Sequence, residues 1–229
     1  MTVDARIKRL EPRIRRFDDL LLKWFRVNAR DFPWRRSSTS SYGMVVSEVL
    51  LQRTRAETVA AFFPAFMRRF PAWRHLAAAT DADLRAFLEP IGLWRRRADS
   101  LRALGQELQQ RRGRLPTTRQ QLESLPGIGQ YIASSVMLLC HGRREPLLDV
   151  NMARVLERCF TPRKLVDIRF DPWLQALARA VVDHEQAREV NWAILDLAAI
   201  HCRPRNPLCS TCPVRTCCQF AISRRGLQQ

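Results

Sequence analysis

The sequence predicts an all-α protein, and three observations carry that prediction. Apolar residues recur at three- and four-residue spacing along most of the 229-residue chain. No stretch sustains the two-residue alternation of a strand, and no Asn-Gly or Asp-Gly hairpin is present. The breaks between periodic stretches are short and carry Pro, Gly, Thr or Asp. There is no internal repeat.

Taken in order, residues 1–12 are polar and end at Pro12, so a ragged terminus is expected there. From Ile14, the residues Phe17, Leu20, Leu21, Trp24 and Phe25 lie on one helical face until Asp31-Phe32-Pro33-Trp34 breaks the pattern. A polar loop from Ser37 to Ser41 leads into a helix over Tyr42–Arg55, with Val45, Val46, Val49 and Leu50 facing inward. Glu48 sits in that apolar run, and helix geometry alone leaves it open between a solvated face and a working carboxylate. Helices follow over Glu57–Arg69, over Trp73–Ala79, and from the cap-like Thr80-Asp81-Ala82-Asp83 to about Leu88. Pro90-Ile91-Gly92-Leu93 makes a turn, and Trp94–Arg111 reads as a longer basic helix ending near Gly113.

Thr117 or Thr118 caps a helix that runs through Leu122 into Leu125-Pro126-Gly127-Ile128-Gly129-Gln130-Tyr131. Two glycines around one apolar residue, between two helical patterns, describe a helix, a tight hairpin and a second helix. Small residues there let the backbone N–H groups of Gly127, Ile128, Gly129 and Gln130 approach a phosphate, at a helix start whose dipole favours an anion. The next helix, with Ile132, Ala133, Val136, Met137, Leu139 and Cys140, is almost wholly apolar and belongs in the core. Asp149 opens a helix containing Ala153, Val155, Leu156 and Phe160, and two more are expected over about 172–184 and 188–200.

Charge narrows the partner. Thirty-nine Lys and Arg stand against 22 Asp and Glu, a net charge of +17, and such a surplus favours a polyanion, nucleic acid first. No basic amphipathic stretch stands apart as a membrane anchor, no apolar run is long enough to span a bilayer, and the N-terminus lacks the pattern of a secretory signal. A cytosolic protein is expected, and in that reducing compartment the seven cysteines are not a disulfide framework.

Four of them, Cys202, Cys209, Cys212 and Cys218, fall within one loop punctuated by Pro204, Pro207 and Pro213. Four thiolates so close in sequence can surround a metal centre. A zinc ion and an iron–sulfur cluster both remain open on spacing, although zinc sites of four cysteines usually use two C-x2-C pairs and only Cys209/Cys212 is such a pair. Cys217, next to Cys218, leaves the fourth ligand ambiguous by one residue. Cys140 and Cys159 fall on apolar helix faces and are expected to be small core residues. Arg203, Arg205 and Arg215 make the loop basic, suited to phosphates.

The hairpin, the Asp149 that follows it and the cysteine loop together resemble the helix-hairpin-helix DNA glycosylases of the endonuclease III superfamily, over roughly residues 14–220. The resemblance implies two helical lobes. One, over 30–143, is a six-helix barrel with the hairpin; the other combines 1–29 with 144–229 and carries a [4Fe-4S] cluster in the 201–218 loop, held by the four cysteines. It implies a monomer that binds double-stranded DNA containing a mismatched or damaged base, with DNA across the cleft between the lobes and the target base flipped out. Gly127 and Gly129 would bind phosphate, and Asp149 would be the catalytic carboxylate.

Bifunctional members of this family place a lysine, which forms a Schiff base with the sugar, at the position of Tyr131. Tyrosine cannot do that chemistry, and none of Lys8, Lys23 and Lys164 lies on the motif, so base removal without a lyase step is expected. The thymine glycosylases acting on T·G mismatches resemble the chain in Tyr131, in Asp31-Phe32-Pro33-Trp34-Arg35 and in Ile91-Gly92-Leu93. The MutY-type adenine glycosylases share Gln52, but carry Ser at the Tyr131 position and a C-terminal domain with no counterpart here. The resemblance then gives Asp149 the oxocarbenium-like sugar, Glu48 the departing base, Tyr131 the flipped nucleotide, and Gln52 and Arg53 the gap it leaves. The contrasting expectation is a DNA-binding protein without catalysis, using only the hairpin and the basic surface.

Overall fold

The computed structural model describes residues 2–225; Met1 and 226–229, the extreme ends of the expected second lobe, lie outside the described residues. It is all-helical, with no strand among the described residues. Contacts divide the chain into two compact units, Met1–Arg30 with Arg144–Gln229, and Asp31–Arg143.

The first unit is built on α1 (Val3–Asn28), α9 (Val150–Cys159), α10 (Pro172–Val182), α11 (Ala187–Ile200) and α12 (Gln219–Arg225). The expected ragged terminus is instead the start of α1, which runs through Pro12. Thr2 caps it by accepting from the Ala5 N–H, and half-buried Val3, Ile7 and Leu10 extend the stripe of Ile14, Phe17 and Leu21 backwards. The Arg6 guanidinium stacks 3.8 Å over the Trp173 ring, so packing on α10 offsets what Pro12 takes from the helix. Phe17 meets Phe160 edge to face at 5.4 Å. Arg30 binds the fully buried Asp196 through its side chain at 2.7 Å and its backbone N–H at 3.0 Å, tying the end of α1 to α11.

The second unit holds α2 (Ser41–Leu51), α3 (Ala56–Arg69), α4 (Trp73–Ala78), α5 (Asp81–Leu88), α6 (Trp94–Gln110), α7 (Arg119–Glu123) and α8 (Gln130–Leu139). Thr80 and Thr118 cap α5 and α7 through their hydroxyls. The sequence expects α2 to reach Arg55, but it ends at Leu51, because Arg53 takes a positive φ of 55° and turns the chain. Its core is aromatic: Phe62, Phe66, Phe70 and Phe87 pack with ring centroids 5.2–6.2 Å apart, and Tyr42 crosses Trp73 at 4.7 Å. α8 is buried along nearly its whole length and packs on α2, which sets the hairpin before it on a rigid base.

Candidate active site

Within the second unit, the hairpin is α7, a turn and α8. Gly127 stands at φ 74°, where a side chain is strained, and a Cβ there would meet the Ser100 Cβ at 2.9 Å. Ile128 and Leu125 are buried and anchor the turn, with the Ile128 N–H donating to the Leu125 carbonyl at 3.1 Å. Gly129 is the N-cap of α8 and supplies no side-chain cap. A Cβ on it would meet nothing within 4 Å. The first N–H groups of a ten-residue helix are thus left without a side-chain cap beside an open Gly129, an arrangement suited to an anion. Gln130 is exposed, and Tyr131 is half-buried at the first turn of α8, packed against the core.

Glu48 is 7% exposed and not on a solvated face. Its Oε1 accepts from the Ser135 hydroxyl at 2.8 Å, so α8 presents both the hairpin and the partner of this carboxylate. Gln52 and Arg53 follow α2 in a turn closed by the Thr54 N–H to the Leu51 carbonyl at 3.2 Å. They line one cavity together with Val49, Leu93, Arg96, Arg97 and Ser100.

Within the first unit, Asp149 is the N-cap of α9. Its Oδ1 accepts from the backbone N–H of Asn151 at 2.9 Å and of Met152 at 2.8 Å, and its Oδ2 from the Asn151 side-chain amide at 2.6 Å. Three donors thus orient one half-buried carboxylate. The segment leading to it is held by the fully buried Asn191, which accepts from the Leu147 N–H at 2.7 Å and donates to the carbonyls of Glu145 and Ala187. One turn on, Arg154 donates to Asn151 Oδ1 at 3.1 Å and, through Nε, to the Cys202 carbonyl at 2.7 Å, so the Asp149 cap and the cysteine loop share a chain of hydrogen bonds.

Cys202, Cys209, Cys212 and Cys218 line a single small cavity, walled by Leu197, Leu208, Val214 and Ala221. Cys217 is turned away, its Sγ directed to the Val214 carbonyl at 3.3 Å. Cys159 is buried, as expected of a small core residue, but it also lines this cavity as a fifth thiol. Burial pushes the Cys212 thiol up to about 12, with the nearby sulfurs of Cys218, Cys202 and Cys209 adding to the rise. A hydrogen bond from Cys159 holds Cys218 down, to about 6. All seven cysteines are free thiols, and among the described residues no three His, Cys, Asp or Glu side chains are drawn together closely enough to hold one metal ion.

Sequence reasoning did not single out Arg97, Arg154 or Arg158. Arg97 shares the helical stripe of Leu101, Leu104 and Leu108, which is the signal that marks it as buried. Arg154 and Arg158 lie four residues apart on α9, and Arg158 reaches the Cys202 Sγ at 3.5 Å and the Arg203 carbonyl at 2.7 Å.

The family model described as the HhH-GPD superfamily base excision DNA repair protein matches residues 46–167. The thymine/uracil-DNA glycosylase of Pyrobaculum aerophilum is 38% identical over 204 residues, spanning 87% of this chain and 88% of that protein. The adenine DNA glycosylase of Homo sapiens is 32% identical over 221 residues, which span 89% of this chain but 39% of that protein. A solved structure of a thermostable thymine-DNA glycosylase superposes with a TM-score of 0.85 at 28% identity, covering 93% of this chain and 98% of that one. No helix among the described residues is long and apolar enough to cross a membrane.

Proposed function

We propose that this chain, which belongs to the HhH-GPD superfamily of base excision DNA repair proteins, is a DNA glycosylase that hydrolyses the N-glycosidic bond of thymine or uracil mispaired with guanine and leaves the sugar backbone uncut. The observation that carries this reading is Tyr131 at the first turn of α8, next to the open helix start, where a lyase needs an amine. The higher identity to a thymine/uracil glycosylase, 38% against 32% for the human adenine enzyme, supports it over adenine.

On this reading the chain works as a monomer on mismatched double-stranded DNA, and the second unit supplies the six-helix barrel with the hairpin. Backbone N–H groups of Gly127, Ile128, Gly129 and Gln130 hold a phosphate. The base is flipped out, which costs less for a mismatched pair than for a Watson–Crick pair. Glu48, buried and accepting from Ser135, hydrogen-bonds or protonates the departing base, while Tyr131 packs on the flipped nucleotide. Asp149 brings negative charge to the oxocarbenium-like sugar and orients the attacking water, and its three donors fix its direction before substrate arrives. Gln52 and Arg53 reach the gap beside the orphaned guanine.

Cys202, Cys209, Cys212 and Cys218 would hold a [4Fe-4S] cluster, which when bound cross-links the loop and so fixes its arginines toward phosphates. The cysteine spacing supports a cluster over one zinc ion. Zinc sites of four cysteines usually use two C-x2-C pairs, and this loop has only Cys209/Cys212.

The test is a single-turnover panel on T·G, U·G and adenine·oxidised-guanine duplexes, each treated with borohydride during reaction. Release of thymine and uracil with no trapped adduct is expected. Release of adenine alone overturns the base assignment, a trapped adduct overturns the hydrolytic one, and tight, salt-sensitive binding with no product leaves a DNA-binding protein without catalysis. Iron by elemental analysis with a broad violet-blue absorbance is expected for the loop, and stoichiometric zinc contradicts it.

A further inference from the structure

We infer that Arg97 is a positioning residue that locks two loops into one projecting unit, so that the turn carrying Gln52 and Arg53 reaches the gap in the base stack already formed; this rests on the glycosylase reading above. Arg97 lies on α6 and is 2% exposed. One terminal guanidinium nitrogen donates to the Ile91 carbonyl at 2.8 Å and to the Gly92 carbonyl. The other donates to the Leu50 carbonyl at 3.0 Å, the Gln52 carbonyl at 2.6 Å and the Thr54 hydroxyl at 2.6 Å. Every acceptor belongs either to the Leu50–Thr54 turn or to the Ile91–Gly92 turn. The two are joined a second time where the Thr54 hydroxyl meets the Ile91 carbonyl at 3.4 Å.

Two features separate this from ordinary core filling. None of the five acceptors is a carboxylate, so the cation is buried without a counter-charge, an arrangement a well-packed leucine or methionine would improve on if stability alone mattered. The turns it holds are also ones that the local sequence does not favour. Gln52 at φ −55° and ψ 112° followed by Arg53 at φ 55° approximates a type II turn, which wants glycine in the second central place. In the partner turn, Leu93 stands at φ 51° and 46% exposed. A left-handed arginine and a left-handed, outward-facing leucine are kept in place by the carbonyls just before them, and those carbonyls are what Arg97 grips. The side chains released by the two turns, Gln52, Arg53 and Leu93, line the same cavity.

The test uses the full chain with Arg97→Lys, which keeps the charge but loses the fork, and with Thr54→Val, which removes one acceptor and nothing proposed to touch DNA. Single-turnover base release at saturating enzyme and the Kd for DNA are measured on a duplex with the target base opposite guanine, and on one with it opposite an abasic site. Arg97→Lys is expected to lower the saturating rate opposite guanine by roughly tenfold to a hundredfold with Kd changed by less than about threefold, Thr54→Val by a smaller factor in the same sense. Opposite the abasic site, where no orphaned base remains to be met, variants and wild type should differ by less than about threefold. An unchanged rate opposite guanine in both variants, or an equal loss on both duplexes, overturns the inference. If Arg97→Lys does not fold, Thr54→Val decides. If wild type releases only adenine, the glycosylase assignment to thymine fails while the Arg97 comparison proceeds on the adenine duplex.

Discussion

Two helix starts in this molecule are built in opposite ways. At α8 the N-cap is Gly129, with no side chain to satisfy the first N–H groups and open space where its Cβ would stand. At α9 the N-cap is Asp149, whose carboxylate closes on the N–H groups of Asn151 and Met152. The backbone chemistry of the two ends is the same; what differs is whether the chain provides the anion itself. The open end is suited to receive an external phosphate, and the capped end presents a carboxylate whose direction is set by the fold. The proposed function divides along that difference, with binding assigned to the first and bond cleavage to the second.

The largest effect is expected from Asp149→Asn. Asparagine caps a helix as well as aspartate but cannot accept from the Asn151 amide as Oδ2 does, so stability should fall by about 1 kcal/mol by thermal melting. Single-turnover base release should fall by about a thousandfold. Glu48→Gln retains an acceptor for the Ser135 hydroxyl but loses the charge and the proton, and should cost about a hundredfold in the same assay with melting little changed.

The hairpin glycines set stability against affinity. Gly127→Ala puts a Cβ at φ 74° and against Ser100, and should lower stability by about 1–2 kcal/mol in chemical denaturation. Gly129→Ala meets no atom and is at φ −95°, so the folded protein should tolerate it, while DNA affinity falls by about threefold to tenfold because the methyl occupies the approach of the phosphate. Equal affinities for Gly129→Ala and wild type would remove the open end from DNA binding.

The last effect concerns stability alone. Burial, with Asp19 adding repulsion, pushes Asp18 up to about 8 from an ordinary 3.8. The folded state then holds the proton more tightly than the unfolded chain does. The stability this group contributes is present below 3.8 and is lost as the pH rises toward 8. Asp18→Asn should abolish that loss, so its melting temperature should exceed that of wild type by a margin that widens between about pH 5 and about pH 8. Parallel melting curves across that range contradict the assignment.

Most helices were legible because their punctuation is local. Thr80, Thr118 and Asp149 are caps that can be read from a few residues, and each heads a helix in the structure. What was not legible depends on contacts distant in sequence. Pro12 reads as a break, yet α1 passes through it because residues before it pack on α10, as Arg6 does on Trp173. α12 escaped notice because its short polar-flanked run follows a cysteine loop that dominates the local pattern. At the candidate site, Asp149 and the hairpin glycines stand out as motif residues, whereas the burial of Glu48 required knowing that Ser135 lies opposite it. Among three consecutive arginines, only Arg97 turns inward, which follows from helical phase once α6 is given its register.

The most direct test of the division between the two helix starts is a double-variant cycle of Gly129→Ala and Asp149→Asn, with Kd and the saturating single-turnover rate measured on one T·G duplex. The predicted result is that the double variant has the weakened Kd of the first and the lost rate of the second, each unaltered by the other. If Asp149→Asn alone destroys binding, or Gly129→Ala alone abolishes release from the saturated complex, binding and cleavage are not divided between these two ends.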